Sequence, residues 1–357
     1  MKKIMKILVI ASAFIGVIVG AGFASGQEVL QYFTSFGTIG ILAVFVSTVL
    51  FAYVGMMLVW LGSKAQTSSY NKVIYKISGK YFGFVVDCVL VFTVFGVGVV
   101  MLAGAGANLN QQFGLPHVVG AILMTVLVLL TGMLKVKKVV GVISSITPFL
   151  ILFVIIISVY SFVTMDSSFS ELDSVARSHG PNFPNWFVAG LNYATFNTSV
   201  GAAMSIVMGS AEKDRKTAAI GGLVGGIGLG LLILLSHFAI FAKIEEVGNL
   251  EMPMLGIVNN VSPVLGIIMA LVLFGMIFNT AISMFYAFVA RFAAVETKKF
   301  NIILAVALVA GFILSLVGFT DLVSKFYTLI GYMGLALIIV LIITPFRIKK
   351  IDFDKKD

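Results

Sequence analysis

The sequence has few of the residues that build cross-linked, metal or catalytic sites. It contains one cysteine, Cys88, and three histidines that lie far apart along the chain. A single cysteine excludes an intramolecular disulfide, and histidines so scattered do not have the spacing of metal ligands. His, Cys, Asp and Glu do not converge in the apolar segments, so we predict neither an enzyme nor a resident cofactor.

Charge is also scarce. Only 11% of the residues are charged, 60% are hydrophobic, and the mean hydropathy is +1.10. A soluble globular domain does not have this composition, which predicts an all-α membrane protein with about ten transmembrane helices. The predicted spans are residues 7–34, 37–62, 83–110, 117–133, 138–163, 185–209, 217–242, 264–290, 301–318 and 322–345.

The few charges are unevenly distributed. The net charge is +9, and with the N-terminus inside, the cytoplasmic segments hold all but three of the 24 Lys and Arg residues. The exceptions are Arg177, Lys243 and Lys325. This bias predicts a multi-pass protein of the inner (plasma) membrane with both termini cytoplasmic. The positive charge therefore indicates orientation in the lipid bilayer, and we expect no nucleic-acid partner.

The first predicted span is too long to cross a bilayer as one straight helix. From Ile7 to Phe36 the chain is almost uncharged, and a helix of about 30 residues would be roughly 45 Å long. The hydrocarbon layer is only about 30 Å thick. The stretch from Gly20 to Glu28, Gly-Ala-Gly-Phe-Ala-Ser-Gly-Gln-Glu, lies in its middle. Unwound backbone at membrane depth persists only where protein or a watery cavity satisfies it, so we predict a broken helix beside a binding site.

The sixth predicted span has the same peculiarity. Its apolar run is interrupted by Asn192, Thr195, Asn197, Thr198, Ser199 and Gly201. Because each half of the chain has five spans, an odd number, the second half must be inverted relative to the first. Paired interrupted helices in two inverted halves indicate the site of a transporter. The predicted units are a first repeat at 1–163, an extracellular loop at 164–184, a second repeat at 185–345 and a cytoplasmic tail at 346–357.

With these features the chain resembles the LeuT-fold secondary transporters of the amino acid–polyamine–cation superfamily. The stretch from Gly20 to Glu28 resembles that of the YkvI-like bacterial membrane proteins in particular. The resemblance implies a 5+5 inverted repeat with the first and sixth helices broken. It also implies sodium-coupled symport of a small amino acid or related amine by alternating access. A proton-coupled transporter of the same fold, or a membrane sensor without net transport, remains an alternative.

The same resemblance implies a site for a small-molecule substrate. The free amides of Ala21 and Gly22 would meet a carboxylate, since exposed amides at a helix break favour anions. Main-chain carbonyls near Ile18, Phe196 and Ser199 would receive an ammonium group. The remaining substrate-binding residues would be Phe23, Glu28, Asn197 and Val200.

A sodium site is also implied by the resemblance. Carbonyls of Gly16 and Val19 would hold the ion together with polar groups from the eighth span. Those groups are Asn279, Thr280 and Ser283, in an otherwise apolar run. The alternative is that the hydroxyls of Thr280 and Ser283 bond back to carbonyls of their own helix.

Two acidic residues, Glu28 and Asp87, fall inside predicted spans. Placing a carboxylate inside the membrane costs roughly 3 kcal/mol of insertion free energy. Each of these two residues is therefore expected to have a binding partner or a function that offsets this cost.

In the relatives that the chain resembles, the acidic half of an outer gate lies where this chain has Lys325-Phe326-Tyr327 in the tenth span, and its basic partner lies near the position of Glu28. The resemblance therefore implies an outer gate with the two charges exchanged, in which Glu28 pairs with Lys325. The alternatives are that Glu28 binds a substrate amine, carries a coupled proton, or only forms a structural hydrogen bond. For Asp87 we expect a helix-start or snorkelling role, and a proton relay is the alternative.

Overall fold

The computed structural model describes residues 2–66, 70–133, 147–165, 167–294 and 297–347, and these residues form helices, turns and no strand. Helices α1 to α8 are Lys2–Ile18, Ala21–Ser25, Gln27–Tyr32, Gly40–Ala65, Tyr70–Ser78, Lys80–Phe113, His117–Gly132 and Thr147–Val163. Helices α9 to α17 are Phe169–Ser178, Trp186–Ser210, Arg215–Ala242, Ile244–Val247, Pro253–Val261, Pro263–Ala290, Lys298–Ser315, Phe319–Leu322 and Thr328–Arg347. A 3₁₀ segment at Thr34–Ile39 precedes α4, and a π-helical turn at Val323–Tyr327 precedes α17.

Six segments in the described part of the chain are long and apolar enough to cross a membrane. They are Thr34–Ala65, Lys80–Phe113, Arg215–Ala242, Pro263–Ala290, Lys298–Ser315 and Phe319–Phe346. The other four predicted spans correspond to the interrupted series α1 to α3, to the shorter helices α7 and α8, and to α10, which is long but less apolar. Residues 138–146 of the predicted fifth span lie outside the described residues. The prediction of an all-α membrane protein is confirmed.

Helices α1, α4, α10 and α11 pack against one another with little space between them. At each contact a glycine brings its Cα so close to the neighbouring helix that an added methyl group would collide. Small residues at helix interfaces allow this close packing in membrane bundles. The contacts are Ala43 with Gly190, Val59 with Gly209, Phe51 with Gly226, Gly55 with Gly222, Ile10 with Gly221 and Phe14 with Gly225.

The order of these contacts fixes the directions of the helices. The numbers rise together where α1 packs on α11 and where α4 packs on α10, so each of these pairs is parallel. They run oppositely where α4 packs on α11. We call the side of the bundle that holds the start of α1 the N-terminal face, and the other side the opposite face. Helices α1 and α11 therefore run towards the opposite face, whereas α4 and α10 run towards the N-terminal face.

Helices α6 and α14 pack against each other beside this group of four helices. Gly98 contacts Phe285 and Gly104 contacts Ile277, so the two helices are antiparallel. Val86, near the start of α6, shares an apolar cluster with Leu58 near the end of α4. This contact places the start of α6 at the N-terminal face, and α14 therefore ends there.

Asp87 differs from the expectation of a helix-start or snorkelling residue. It lies inside α6, is buried, and its Oδ2 accepts a hydrogen bond from the guanidinium of Arg291 at the end of α14. The ion pair stabilises the buried carboxylate of Asp87. The sequence alone could not identify this pair, because Arg291 is distant from Asp87 in the chain. The pair joins α6 to α14 near the N-terminal face.

The sequence of residues 64–82 predicts a short amphipathic helix at the cytoplasmic membrane surface, with Tyr70, Val73, Ile74 and Tyr75 facing lipid and the lysines facing water. A helix is present in this region as α5. Its apolar residues were expected to face lipid, but Val73 and Ile74 are buried in a cluster that includes Leu61 and Ile206. The expectation of a lipid-facing side is therefore wrong. The apolar face of α5 packs instead against the ends of α4 and α10.

Candidate functional site

The first membrane helix is broken, as predicted, and the structure interrupts it at two points. Helix α1 ends at Ile18, Gly20 is extended, and α2 begins at Ala21. A second interruption lies at Gly26, whose φ of 85° is in the left-handed region that favours glycine. A side chain at Gly26 would also collide with Met254 of α13. The chain thus crosses the middle of the bundle as three short helical pieces.

A cavity of about 470 Å³ lies beside this break. Its walls are the residues around the break together with parts of α6, α10 and α14 and the side chain of Tyr327. The structure brings twelve of the predicted site residues to this one cavity. They are Gly16, Ile18, Val19, Ala21, Gly22, Glu28, Phe196, Asn197, Val200, Asn279, Thr280 and Ser283.

Two predicted substrate residues lie away from the cavity. Phe23 is buried in the apolar core, with 2% of its surface exposed. The Ser199 hydroxyl donates to the carbonyl of Thr195 at 3.0 Å and lies against Gly334 of α17. Both side chains therefore contribute to packing around the site, and neither lines it.

The predicted break in the sixth span is wrong, because α10 continues from Trp186 to Ser210. Its polar side chains bond back to their own helix. The amide of Asn197 donates to the carbonyl of Tyr193 at 3.1 Å, and the hydroxyl of Thr198 donates to that of Ala194 at 2.6 Å. These bonds satisfy the polar groups without opening the backbone. The carbonyls near Phe196 and Ser199 consequently stay within the helix.

The side chain of Glu28 points towards the break in the first membrane helix. It is 4% exposed, and its Oε2 accepts a hydrogen bond from the hydroxyl of Tyr193 at 3.1 Å. The Oε1 atom lies over Gly22, where any side chain would collide with it. Among the described residues that line the cavity, Glu28 is the only one of the types Asp, Glu, Lys, Arg and His.

The predicted gate between Glu28 and Lys325 is wrong. The Nζ of Lys325 lies 2.9 Å from Oδ1 of Asp321, one helical turn earlier, and its side chain is 76% exposed. Glu28 is buried and bonded to Tyr193 instead. Lys325 therefore pairs with Asp321 at the surface, and its ammonium group makes no ion pair with Glu28.

The predicted cation ligands all line the cavity. The buried Oδ1 of Asn279 accepts no hydrogen bond from the described residues, and Thr280 and Ser283 line the cavity beside it. The structure shows neither hydroxyl bonded to a carbonyl of α14 within the described part of the chain. Because α1 ends at Ile18, the carbonyls of its last turn lack partners in a continuing helix. Oxygen atoms are the ligands that hard cations prefer.

Aromatic rings close the cavity towards the opposite face. The rings of Phe196 and Tyr327 stack with centroids 4.1 Å apart and an interplanar angle of 24°. Behind them Tyr193 packs edge-on against Tyr32 at 5.1 Å and Phe33 at 4.9 Å. All five rings are buried. A solute in the cavity therefore has no open path to the opposite face.

The cavity is open towards the N-terminal face. Met204, which follows Val200 along α10 in that direction, is 57% exposed. Ser283 and Ala287 of α14 also line the cavity and are exposed. The cavity is therefore reached from one side of the bundle only.

Sequence reasoning missed part of the site. Val97 and Met101 of α6 line the cavity, yet they belong to a uniformly apolar run that contains no local signal. Tyr327, which also lines the cavity, was not assigned to the site. Tyr193 was not assigned to it either, because its bond to Glu28 depends on how the two helices are placed.

Comparison with protein-family models gives no match. Two proteins of Bacillus subtilis (strain 168) are similar along nearly their whole length. The uncharacterized membrane protein YkvI is 28% identical, over 92% of this chain and 93% of YkvI. The uncharacterized protein YyaD is 23% identical, over 93% of this chain and 94% of YyaD.

Solved structures of transporters resemble this one. MhsT in complex with L-phenylalanine has a TM-score of 0.66 at 17% identity, with 97% of both chains covered. Mhp1 in its inward-facing conformation has a TM-score of 0.64 at 16% identity, covering 94% of this chain and 75% of Mhp1. A closed conformation of Mhp1, a nucleobase-cation-symport-1 family transporter, with bromovinylhydantoin bound, has a TM-score of 0.53 at 15% identity, covering 91% and 74%. These likenesses establish that the chain has the LeuT fold of MhsT and Mhp1.

Proposed function

We propose that this protein is a secondary active transporter that carries a small amino acid or related amine by sodium-coupled symport. The observation that carries the proposal is the cavity at the break of the first membrane helix, which is closed by aromatic rings on one side and open on the other. Transporters of this kind place their substrate near the bilayer midplane, where discontinuous helices free main-chain groups. The fold accepts ligands of suitable size, since MhsT holds L-phenylalanine and Mhp1 holds bromovinylhydantoin.

Sodium would bind on the side of the cavity formed by α1 and α14. The proposed ligands are the carbonyls of Gly16 and Val19 and the side-chain oxygens of Asn279, Thr280 and Ser283. The unpartnered Oδ1 of Asn279 supports this assignment, because a buried polar atom without a hydrogen bond is costly unless a ligand satisfies it. The substrate would occupy the remaining space between Glu28, Phe196 and the apolar wall of α6.

Alternating access would proceed by rocking of α1, α4, α10 and α11 against α6 and α14. The tight glycine contacts within the first group favour movement as one body. We assign the N-terminal face to the cytoplasm on the basis of the Lys and Arg distribution. The present form would then be inward-open, in keeping with the higher TM-score for inward-facing Mhp1, 0.64, than for closed Mhp1, 0.53.

Proton coupling by the same fold is the second candidate. It is favoured by Glu28, a carboxyl buried beside the cavity with no cationic side chain among the described lining residues. Such a group is stabilised either by a bound cation or by a proton. Uptake driven by an imposed sodium gradient at constant pH supports the first candidate. Uptake driven only by a pH gradient supports the second.

Counterflow in proteoliposomes tests whether the protein transports at all. Purified protein is first screened against amino acids and amines by thermal shift, in sodium chloride and in choline chloride, because ligands that bind the folded state raise its apparent stability. Vesicles loaded with an unlabelled ligand should then accumulate the labelled one transiently. Binding without counterflow would instead support a membrane sensor.

A further inference from the structure

Within the proposed transport function, the geometry points to a narrower class of solute: an organic cation with an apolar body and no carboxylate of its own. We infer that Glu28 supplies the negative charge of the site and receives the ammonium group of the solute. This inference rests on the proposed function, because it concerns the same cavity. It separates simple amines from the zwitterionic amino acids, both of which the fold and cavity size allow.

The position of the Glu28 carboxylate is the first support. Its Oε1 lies over Gly22, at the edge of the cavity where the helix is interrupted. A second carboxylate, brought by an amino acid, would have to lie beside this one. Like charges at short range repel strongly in a site from which water is largely excluded.

The lack of a cationic partner is the second support. Within the described part of the chain, one group donates a hydrogen bond to the carboxylate, the hydroxyl of Tyr193 to Oε2. No Lys, Arg or His is among the described residues that line the cavity. A buried carboxylate is tolerated when a cation pairs with it. The ammonium of a solute is suited to this role, because one of its three N–H donors can bond to Oε1 while the others bond elsewhere in the cavity.

On the cavity walls formed by α6 and α10, Asn197 is the only lining residue whose side chain has a hydrogen-bond donor for a solute carboxylate. The amide nitrogen of Asn197 already donates to the carbonyl of Tyr193 at 3.1 Å. The hydroxyls of Thr280 and Ser283 lie on the side proposed for sodium. The rest of the lining on α6 and α10 is apolar, and includes Val97, Met101 and Val200.

The aromatic pair next to Glu28 is the third support. Phe196 and Tyr327 both line the cavity, and their rings are stacked. The face of an aromatic ring attracts an ammonium group electrostatically, and the attraction grows when the group is desolvated. A carboxylate gains nothing from such a face. The polar end of the cavity thus favours a cation, and its apolar wall favours a hydrocarbon body.

Matched pairs of probes that differ only by a carboxylate test this inference. The pairs are phenethylamine with phenylalanine, tyramine with tyrosine, and isopentylamine with leucine. Binding to the purified full-length protein in sodium chloride is measured by thermal shift and by titration calorimetry. We expect at least one amine to bind about tenfold or more tightly than its amino acid. Equal or tighter binding of the amino acid in every pair, or no binding of any amine, would overturn the inference.

Substitution of Glu28 links the preference to this carboxylate. Glu28→Gln keeps the size of the side chain and should weaken amine binding about tenfold or more, without weakening that of the amino acid. Glu28→Asp, which keeps the charge, should retain the preference for the amine. The control is Glu245→Gln, at an exposed carboxylate bonded to Ser167, which should leave both affinities unchanged. Amine binding that is equal in wild type and Glu28→Gln contradicts the assignment.

Counterflow separates this inference from the transport proposal. If an amino acid is exchanged and its amine does not bind, the proposed transport function is supported and the proposed preference for amines is wrong. If an amine binds in a manner that depends on Glu28 but no solute is exchanged, the preference for amines is supported and the proposed transport function is wrong. Exchange of an amine that is lost in Glu28→Gln supports both.

Discussion

At the scale of single residues, the site depends on one glycine that makes room for one carboxylate. Gly22 lacks a side chain where Oε1 of Glu28 lies, whereas an added methyl group at Gly20 would meet no atom within 4 Å. Both glycines belong to the same interruption of the helix, so alanine substitutions at the two positions can be compared. Either substitution would stiffen the backbone at the break. Only the substitution at Gly22 would also displace the side chain of Glu28.

Gly22→Ala should displace the Glu28 carboxylate and weaken binding of the best ligand about tenfold. Gly20→Ala should have the smaller effect, since its methyl group enters open space. Both variants are compared by calorimetry and by elution volume from size exclusion. Equal losses in the two variants would show that the carboxylate position does not matter.

The proposed sodium ligands give a second test at this scale. Thr280→Val replaces a hydroxyl by a methyl group of similar size and should abolish the difference between thermal shifts in sodium and in choline. The matched control is Thr125→Val on α7, whose hydroxyl bonds to the carbonyl of Ala121 at 2.7 Å, outside the cavity. A sodium-dependent shift that survives in Thr280→Val would remove this residue from the ion site.

Local signals in the sequence predicted part of the residue-scale chemistry. The rarity of intramembrane carboxylates identified Glu28 and Asp87 as residues that need partners. Their partners, Tyr193 and Arg291, lie more than a hundred residues away and are joined to them only by the fold. The proposed partner Lys325 was wrong because Asp321 is much nearer to it in the chain.

At the scale of elements, the first and sixth predicted spans were expected to break in the same way and do not. The first span has glycines at its two interruptions, Gly20 in an extended conformation and Gly26 in a left-handed one. The sixth span, α10, contains polar side chains that bond to carbonyls four residues earlier, as Asn197 does. Glycine is a strong signal at Gly26, because few other residues adopt the left-handed conformation. Ser, Thr and Asn are a weak signal because helices accommodate them.

The first half of α1 is held at the N-terminal face by two ion pairs. Lys3 lies 3.2 Å from Asp214, and Lys6 lies 2.8 Å from Glu212. Both acids belong to the turn between α10 and α11, so the pairs bind α1 to the same group of helices as its glycine contacts. This arrangement favours movement of α1 with α10 and α11 rather than by itself.

Removal of both lysines should loosen this end of the helix. In the double variant Lys3→Gln, Lys6→Gln, we expect faster hydrogen exchange across residues 2–18 than in the wild type, measured in detergent by mass spectrometry. The control is Lys298→Gln, Lys299→Gln, which removes the same charge at the start of α15. If the two double variants exchange alike in this segment, the ion pairs do not hold it.

The pH dependence of this contact follows from the acids in the turn. The Thr217 hydroxyl and Lys3 hold the pKa of Asp214 well below its usual range, and Lys6 lowers the pKa of Glu212. A depressed folded-state pKa gives a contribution that is present above the unfolded pKa and is lost as the pH falls through the folded one. A spin label at Met5→Cys, in a Cys88→Ser background, should therefore keep the mobility that it has at pH 7 down to about pH 4, near the usual Asp pKa. Full mobility already at pH 5 would contradict these shifts.

At the scale of the whole molecule, composition led to the correct class of protein. The apolar runs predicted a membrane bundle, and the over-long first span predicted where it opens. The cavity itself could not be predicted in full, since α6 contributes Val97 and Met101 from a run without any polar marker. Which side is open also depends on packing, here on the stack of Phe196 and Tyr327.

The central claim is that the cavity at the break binds a solute and is reached from the N-terminal face. The most direct test is the labelling of Ala203→Cys, a partly exposed lining position on α10, in a Cys88→Ser background with a membrane-impermeant maleimide. We predict rapid labelling in inside-out vesicles, slow labelling in right-side-out vesicles, and protection by the best amine in sodium. Labelling that is equal from both sides and unchanged by any ligand would contradict the account.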